Sequence, residues 1–200
     1  MLLHEKLKNF RLILASQSPR RQQLLADAGI KYELAPRFEC DEIFPEDLPA
    51  QQVAGYLSRL KSEAYPSPLA EGDILLTADT VVVVDNDILG KPASREEAIA
   101  MIERMSARQH EVITGVTLRS RNAIKSFSVQ SNVVFRVLTA EEIEYYVDNY
   151  RPMDKAGAYG IQEWIGYVGI ERIEGSFYNV MGLPVQKVYM ELGAFLEGAH

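Results

Sequence analysis

The sequence predicts an α/β fold, a mixed twisted sheet with flanking helices, and three observations carry that prediction. Apolar, β-branched stretches (Arg11–Ala15, Ile74–Val84, Glu111–Arg119 and Ala123–Leu138) alternate with segments of helical periodicity. Two of those helical segments open on capping boxes, Ser94-Arg-Glu-Glu97 and Thr139-Ala-Glu-Glu142. Ser120-Arg-Asn122 joins two long strands as an antiparallel hairpin, which makes the sheet mixed. No extended Pro/Gly/Ser linker divides the 200 residues, so one domain over 1–200 is expected. A chain of that length buries about 70% of its unfolded surface.

The elements follow in order. Arg11-Leu-Ile-Leu-Ala15 is the first strand. Ser18 then stands at an N-cap, and Pro19 at the first helical position, where no amide donor is needed. Leu24, Leu25 and Ala28 form the buried stripe of this helix, and Gly29 is its stop. Ile30–Ala35 reads as a second strand, before an acidic, proline-containing loop with Glu39-Cys-Asp-Glu42. Val53, Leu57, Leu60 and Ala64 mark a helix from about Pro49 to Tyr65. The strand Ile74–Val84 turns through Asp85-Asn-Asp87 into Ile88-Leu89. Ser94 opens a helix through about Met105, with Ile99 and Ile102 inward. After the hairpin, Thr139 opens a helix that runs to about Tyr150 and stops before Pro152. A glycine-rich loop, strands around Tyr167–Ile173 and a helix from Pro184 to about Phe195 complete the chain.

Composition removes several function classes. Lys and Arg total 21 against 28 Asp and Glu, a net charge of −7, so the protein is not a general nucleic-acid binder. A polyanionic substrate needs a local basic cluster or a metal to offset that field. The single cysteine, Cys40, excludes an internal disulfide framework and suits a reducing cytosol. His4, His110 and His200 are too far apart to suggest a metal motif. No apolar stretch reaches membrane-spanning length, and the opening Met-Leu-Leu-His-Glu-Lys-Leu-Lys is too polar for a secretory signal. A cytoplasmic protein is expected.

The residues between strand and helix carry the chemistry. Ser16-Gln-Ser-Pro-Arg-Arg21 places a helix N-terminus and two guanidinium groups above an apolar strand, the outline of a phosphate site. A capped helix with two solvated arginines explains the same residues about as well. Asp79 interrupts the apolar run Leu75–Val84, where a carboxylate is expensive unless paired, metal-bound or needed, and it is a candidate general base. Lys61 lies close to the stripe of its helix, although a surface lysine with a buried stem is the better reading of that helix alone. Pro92 restricts Lys91 to extended geometry in Gly90-Lys-Pro92, which aims one cation at a fixed place. The stretches Met153–Gln162 and Gly175–Pro184 combine glycines with aromatic and amide groups able to face a base. Glu42 and Asp79 together offer oxygen ligands suited to a divalent cation such as magnesium or manganese. Several cations, two acids and no nucleophile favour metal-assisted hydrolysis of a phosphorylated small molecule.

These motifs, in this order, resemble those of the Maf-type nucleoside triphosphate pyrophosphatases. The resemblance rests on Ser16-Gln-Ser-Pro-Arg-Arg21, Ala78-Asp-Thr80, Gly90-Lys-Pro92, Asp154-Lys-Ala-Gly-Ala-Tyr-Gly-Ile-Gln162 and Gly175…Val180-Met-Gly-Leu-Pro184. It covers about residue 11 to residue 196. It implies a fold like that of the inosine triphosphate pyrophosphatases and cleavage between the α- and β-phosphates. Asp79 takes the place of the family's proton acceptor. Arg20, Thr80 and Gln162 match the branch that acts on dTTP and UTP, which implies a pyrimidine nucleotide substrate. Arg20, Arg21, Lys61 and Lys91 are then expected to bind the triphosphate, with a metal near Glu42 and Asp79. The segment Glu163-Trp-Ile-Gly166 departs from the family in its tryptophan. Two alternatives stay open: a broader pool-cleaning hydrolase for modified nucleotides, and a non-catalytic nucleotide sensor in septum formation. A homodimer is also left open.

Overall fold

The computed structural model describes residues 1–198, and His200 lies outside them. In chain order the elements are α1 (Leu3–Lys6), β1 (Arg11–Leu14), α2 (Pro19–Asp27), β2 (Glu33–Leu34), α3 (Ala50–Glu63), β3 (Asp73–Val84) and β4 (Asp87–Leu89). They continue with α4 (Arg95–Met105), β5 (Gln109–Arg119), β6 (Ile124–Phe135), α5 (Ala140–Tyr150), α6 (Trp164–Gly169), β7 (Ile170–Glu174), α7 (Phe177–Met181) and α8 (Val185–Glu197). The strands form a mixed sheet in the order β2-β1-β3-β5-β6-β7, with β4 on β3. The described residues gather into two compact units.

The first unit comprises Met1–Asp79, Thr114–Val129 and, among the described residues, 182–198. β1 pairs in parallel with β3 from Arg11↔Asp73 to Leu14↔Leu76. The Arg11 guanidinium grips buried Asp73 through Nε (2.8 Å) and Nη2 (2.7 Å), locking the start of that pairing. Leu14, Leu25, Val53, Ala54, Ile74, Leu75, Leu76 and Leu192 are among its core residues. α3 touches β5 backbone to backbone: a Cβ on Gly115 would lie 2.2 Å from the Ala54 carbonyl oxygen. A hydroxyl chain, buried at Thr77, Ser58 and Thr117, fixes the same contact. Thr77 donates to the Ser58 carbonyl (2.7 Å), and the Ser58 hydroxyl meets Thr117 (2.9 Å), which meets Ser126 (2.8 Å).

The second unit comprises Thr80–Ile113 and Gln130–Met181. Asp85 (φ 52) and Asn86 (φ 67) make the tight left-handed turn that folds β4 back onto β3, pairing Val82 with Leu89. Its core joins Val82, Val84, Ile102, Met105, Phe135, Ile143, Tyr146, Tyr159 and Ile165. Ser94 caps α4 by accepting from Glu97 N, but the expected box is not closed, since Glu97 Oε2 accepts from Ala93 N (2.7 Å) instead; Thr139 with Glu142 forms a complete capping box on α5. Arg151, in the left-handed region (φ 46), ends α5 before Pro152.

Four expectations need correction. The second strand shrinks to Glu33–Leu34, both exposed, because it is a sheet edge with only β1 beside it. Ala28 is exposed, since α2 ends at Asp27 and only Leu24 and Leu25 face inward. Residues 164–169 are helical, so β7 begins only at Ile170. Packing requires the glycine at 166: a Cβ there would lie 1.8 Å from the Ile161 carbonyl oxygen. Lys61 does not send its charge to solvent, for a reason that lies in its partners.

Candidate active site

In the first unit, β1 leads through Ala15, whose N–H donates to the Leu76 carbonyl (2.9 Å), into the loop before α2. Ser18 occupies the N-cap position in extended geometry, but its hydroxyl does not cap the helix. The Ser16 hydroxyl instead accepts from Ser18 N (3.4 Å) and from Arg21 Nη1 (3.2 Å). Arg21 also donates through Nη1 to the Ala78 carbonyl (2.9 Å) and through Nε to the Gly182 carbonyl (2.8 Å). One guanidinium thus ties α2 to β3, at the residue before Asp79, and to the entry of α8. Burial pushes the Arg21 guanidinium pKa down, while Asp79 pushes it back up. An arginine keeps its charge throughout.

Asp79 is 8% exposed on β3. Lys61, reaching across from α3, donates through Nζ to Asp79 Oδ1 at 2.5 Å and pairs with Glu42 Oε1 at 3.0 Å. The ammonium is therefore drawn inward by two carboxylates. The serine–threonine chain holds α3 one turn away at Ser58, which sets the distance from which Lys61 reaches. Glu42 arrives from an irregular loop; Phe38 in that loop packs edge-on against Tyr65, just beyond α3, with ring centroids 5.6 Å apart. Glu42 keeps its side chain 51% exposed, open to an incoming ligand.

No group of three or more His, Cys, Asp or Glu side chains gathers among the described residues. Glu42 and Asp79 do supply two hard oxygen donors around one shared cation, the Lys61 ammonium. That pair fits magnesium or manganese carried in by a phosphorylated substrate, since such an ion takes one or two carboxylates and completes its shell with phosphate and water.

Arg20 stands next to Arg21 on α2 in the first unit, and Thr80, Lys91 and Gln162 lie in the second. Thr80 follows Asp79 along β3, and strand alternation turns successive side chains to opposite faces. Lys91 is exposed just after β4. Its loop is tied to the glycine-rich stretch by Gly157 N donating to the Gly90 carbonyl (3.0 Å). Gly157 sits at φ +67, with Val82 3.0 Å from where a Cβ would stand, so both conformation and space demand glycine. Gln162 is half-buried, and its Oε1 is buried with no protein partner. Such an orphan acceptor costs about 1–3 kcal/mol unless a ligand donor meets it.

Lys155 and Tyr146, which meet at Glu163 beside Gln162, were given no role in the sequence reading. Lys155 is buried and pairs with Glu163 Oε1 (3.0 Å) and Asp154 Oδ1 (2.8 Å). Tyr146, fully buried on α5, donates to Glu163 Oε2 and accepts from Gly160 N (3.0 Å). The visible signal was a lysine set among Gly and Ala in Asp154–Gly160. Trp164 packs edge-on against Tyr145, with ring centroids 5.0 Å apart, at the start of α6.

Comparison with known proteins adds to this geometry. The family model described as "Maf-like protein" matches residues 11–195. A protein of Bacteroides thetaiotaomicron named dTTP/UTP pyrophosphatase is 50% identical over 186 residues, covering 93% of this chain and 96% of its own. Proteins of the same name from Parabacteroides distasonis (96% of this chain, 99% of its own) and Porphyromonas gingivalis (96% and 98%) are also 50% identical. A nucleoside-triphosphatase (dITP/XTP pyrophosphatase) structure from Mycobacterium abscessus matches at 14% identity and a TM-score of 0.41, covering 94% of this chain and 98% of its own.

Proposed function

The chain belongs to the Maf-like family, and from that premise we propose that it is a nucleoside triphosphate pyrophosphatase acting on dTTP and UTP. The 50% identical relatives of that name support this reading, and the grouping of Asp79, Lys61 and Glu42 carries it. In this mechanism Asp79 accepts the proton of a water that attacks the α-phosphorus. The bond from that phosphorus to the bridging oxygen breaks, and the products are the nucleoside monophosphate and pyrophosphate. Lys61 holds Asp79 in place through Oδ1, leaving Oδ2 for the water, and sets a positive charge where the phosphates collect. Arg20, Arg21 and Lys91 supply the further cations that bind the triphosphate. Arg21 does so while bracing the backbone at Ala78, so its contribution is to position as much as to charge. Glu42 and Asp79 would hold a divalent ion, which would supply further positive charge against the phosphates. Base choice rests with Arg20, Thr80 and Gln162, whose orphan Oε1 is an acceptor for the imide N–H common to uracil and thymine.

We place this activity in the cytoplasm, on free nucleotides; no helix among the described residues is long and apolar enough to cross a membrane. The test is UTP hydrolysis in oxygen-18 water with added magnesium. Attack at the α-phosphorus puts the label in UMP, with unlabelled pyrophosphate as the other product. Label in pyrophosphate, or release of orthophosphate, overturns the mechanism.

A further inference from the structure

We propose that Tyr146 is a positioning residue for base recognition, acting through Glu163 and Gly160 to hold the turn that presents Gln162. This rests on the reading of Gln162 as a base-selecting residue. The turn is closed by Glu163 N donating to the Gly160 carbonyl (3.0 Å), so Ile161 and Gln162 form its tip. Both of its ends meet at one phenol. Gly160 N donates to the Tyr146 oxygen (3.0 Å), and that hydroxyl donates to Glu163 Oε2. A tyrosine hydroxyl both donates and accepts, which allows it to link an amide N–H to a carboxylate.

The second oxygen of Glu163 is held by Lys155 (3.0 Å). Gly160 makes room for this pair: a Cβ there would meet Glu163 Cδ at 2.9 Å and Lys155 Cε at 3.0 Å. Ile161 is fixed from the other side by the close approach of Gly166. The neighbours of Gln162 are thus secured on every side, while Gln162 Oε1 itself, buried, accepts nothing from the protein. Lys155 and Tyr146, the polar donors of this network, are both engaged by Glu163. Their engagement keeps the amide oxygen available to a ligand. An acceptor held rigid and unspent discriminates between bases, because an analogue lacking the matching donor leaves it unpaired.

Tyr146→Phe removes the link without changing ring packing against Tyr150. The expected result is a roughly five- to tenfold higher KM for UTP, kcat within about twofold of the parent, and a UTP-to-CTP ratio in kcat/KM reduced by about the same factor. Glu163→Gln, which keeps an acceptor for the phenol but loses one of the two charges that hold Lys155, should move the ratio in the same direction. Combined with Gln162→Ala, Tyr146→Phe should add less than twofold, since both act on one contact. If Gln162→Ala narrows the ratio and neither Tyr146→Phe nor Glu163→Gln does, the positioning role is overturned while the base-selecting role stands. If Gln162→Ala leaves the ratio unchanged, the base-selecting role itself is overturned, and the positioning role with it. Equal losses on UTP and CTP in the Tyr146 and Glu163 variants would assign these residues to the stability of the fold alone.

Discussion

Replacing Asp79 by Asn tests the chemical core of the mechanism with the least disturbance of structure. The side chains are nearly isosteric, and the amide oxygen can still accept from Lys61 Nζ, which retains Glu42 at 3.0 Å as its charged partner. The fold should therefore lose little. One charge-assisted hydrogen bond becomes a neutral-acceptor one, a change of about 1 kcal/mol. Catalysis should lose far more, because an amide cannot take the proton of the attacking water. General-base catalysis contributes about 10²- to 10⁴-fold, equivalent to roughly 3–5 kcal/mol in the barrier. The two effects differ enough to be separated in one preparation. Pyrophosphate release at saturating UTP gives kcat, titration of the substrate gives KM, and a melting curve gives stability. The expected pattern is kcat lower by 10²-fold or more, KM within a few-fold of the parent and a melting point within a few degrees. A folded Asp79→Asn enzyme with kcat within fivefold of the parent would remove Asp79 from the role of base.

Arg21→Ala breaks three hydrogen bonds that join α2, β3 and the entry to α8, so a loss of about 2–4 kcal/mol in urea unfolding is expected, with kcat/KM falling alike for every nucleotide; selective loss on one base would contradict a bracing role. Gln162→Ala should narrow the preference for UTP over CTP by roughly tenfold, measured as the ratio of kcat/KM values, and an unchanged ratio would dismiss its amide as the selector. His110 is buried against Phe135 and Tyr159, and burial lowers its pKa to about 3, so the folded protein holds it neutral. Between pH 6.5, its ordinary value, and about 3, the unfolded chain binds a proton that the folded one refuses, so stability falls as pH falls. From pH 7 to 5 this amounts to about 2 kcal/mol. His110→Gln should flatten the urea-unfolding profile over that interval by this amount, and parallel profiles would show that His110 does not titrate on unfolding.

Two helix starts were legible because capping is local: Ser94 with Glu97, and Thr139 with Glu142, need nothing beyond four consecutive residues, whereas the Ser18 hydroxyl leaves α2 uncapped. The interrupting carboxylate was legible for a similar reason, since Asp79 contradicts its own strand. Features that depend on distant contacts were not. Read on its helix, Lys61 looks like a solvated lysine; only the folded chain brings Asp79 and Glu42 to its ammonium. Glycines 166 and 169 argue against a helix on propensity, yet the Ile161 carbonyl leaves space for nothing larger than glycine at 166. Tyr146 reads as one more apolar position on the inward stripe of α5. Its hydroxyl matters only because Gly160 and Glu163, from another part of the chain, converge on it.

The contact between Gly115 and Ala54 has a mechanical consequence. Where side chains separate a helix from a sheet, their rearrangement lets the helix drift by an ångström or more, and neighbouring groups drift with it. Here main chain bears on main chain, so α3 rests on a hard stop, with nothing compressible between it and β5. Lys61 is thus carried on a fixed base, and its pairs with Asp79 and Glu42 hold the ammonium at the far end.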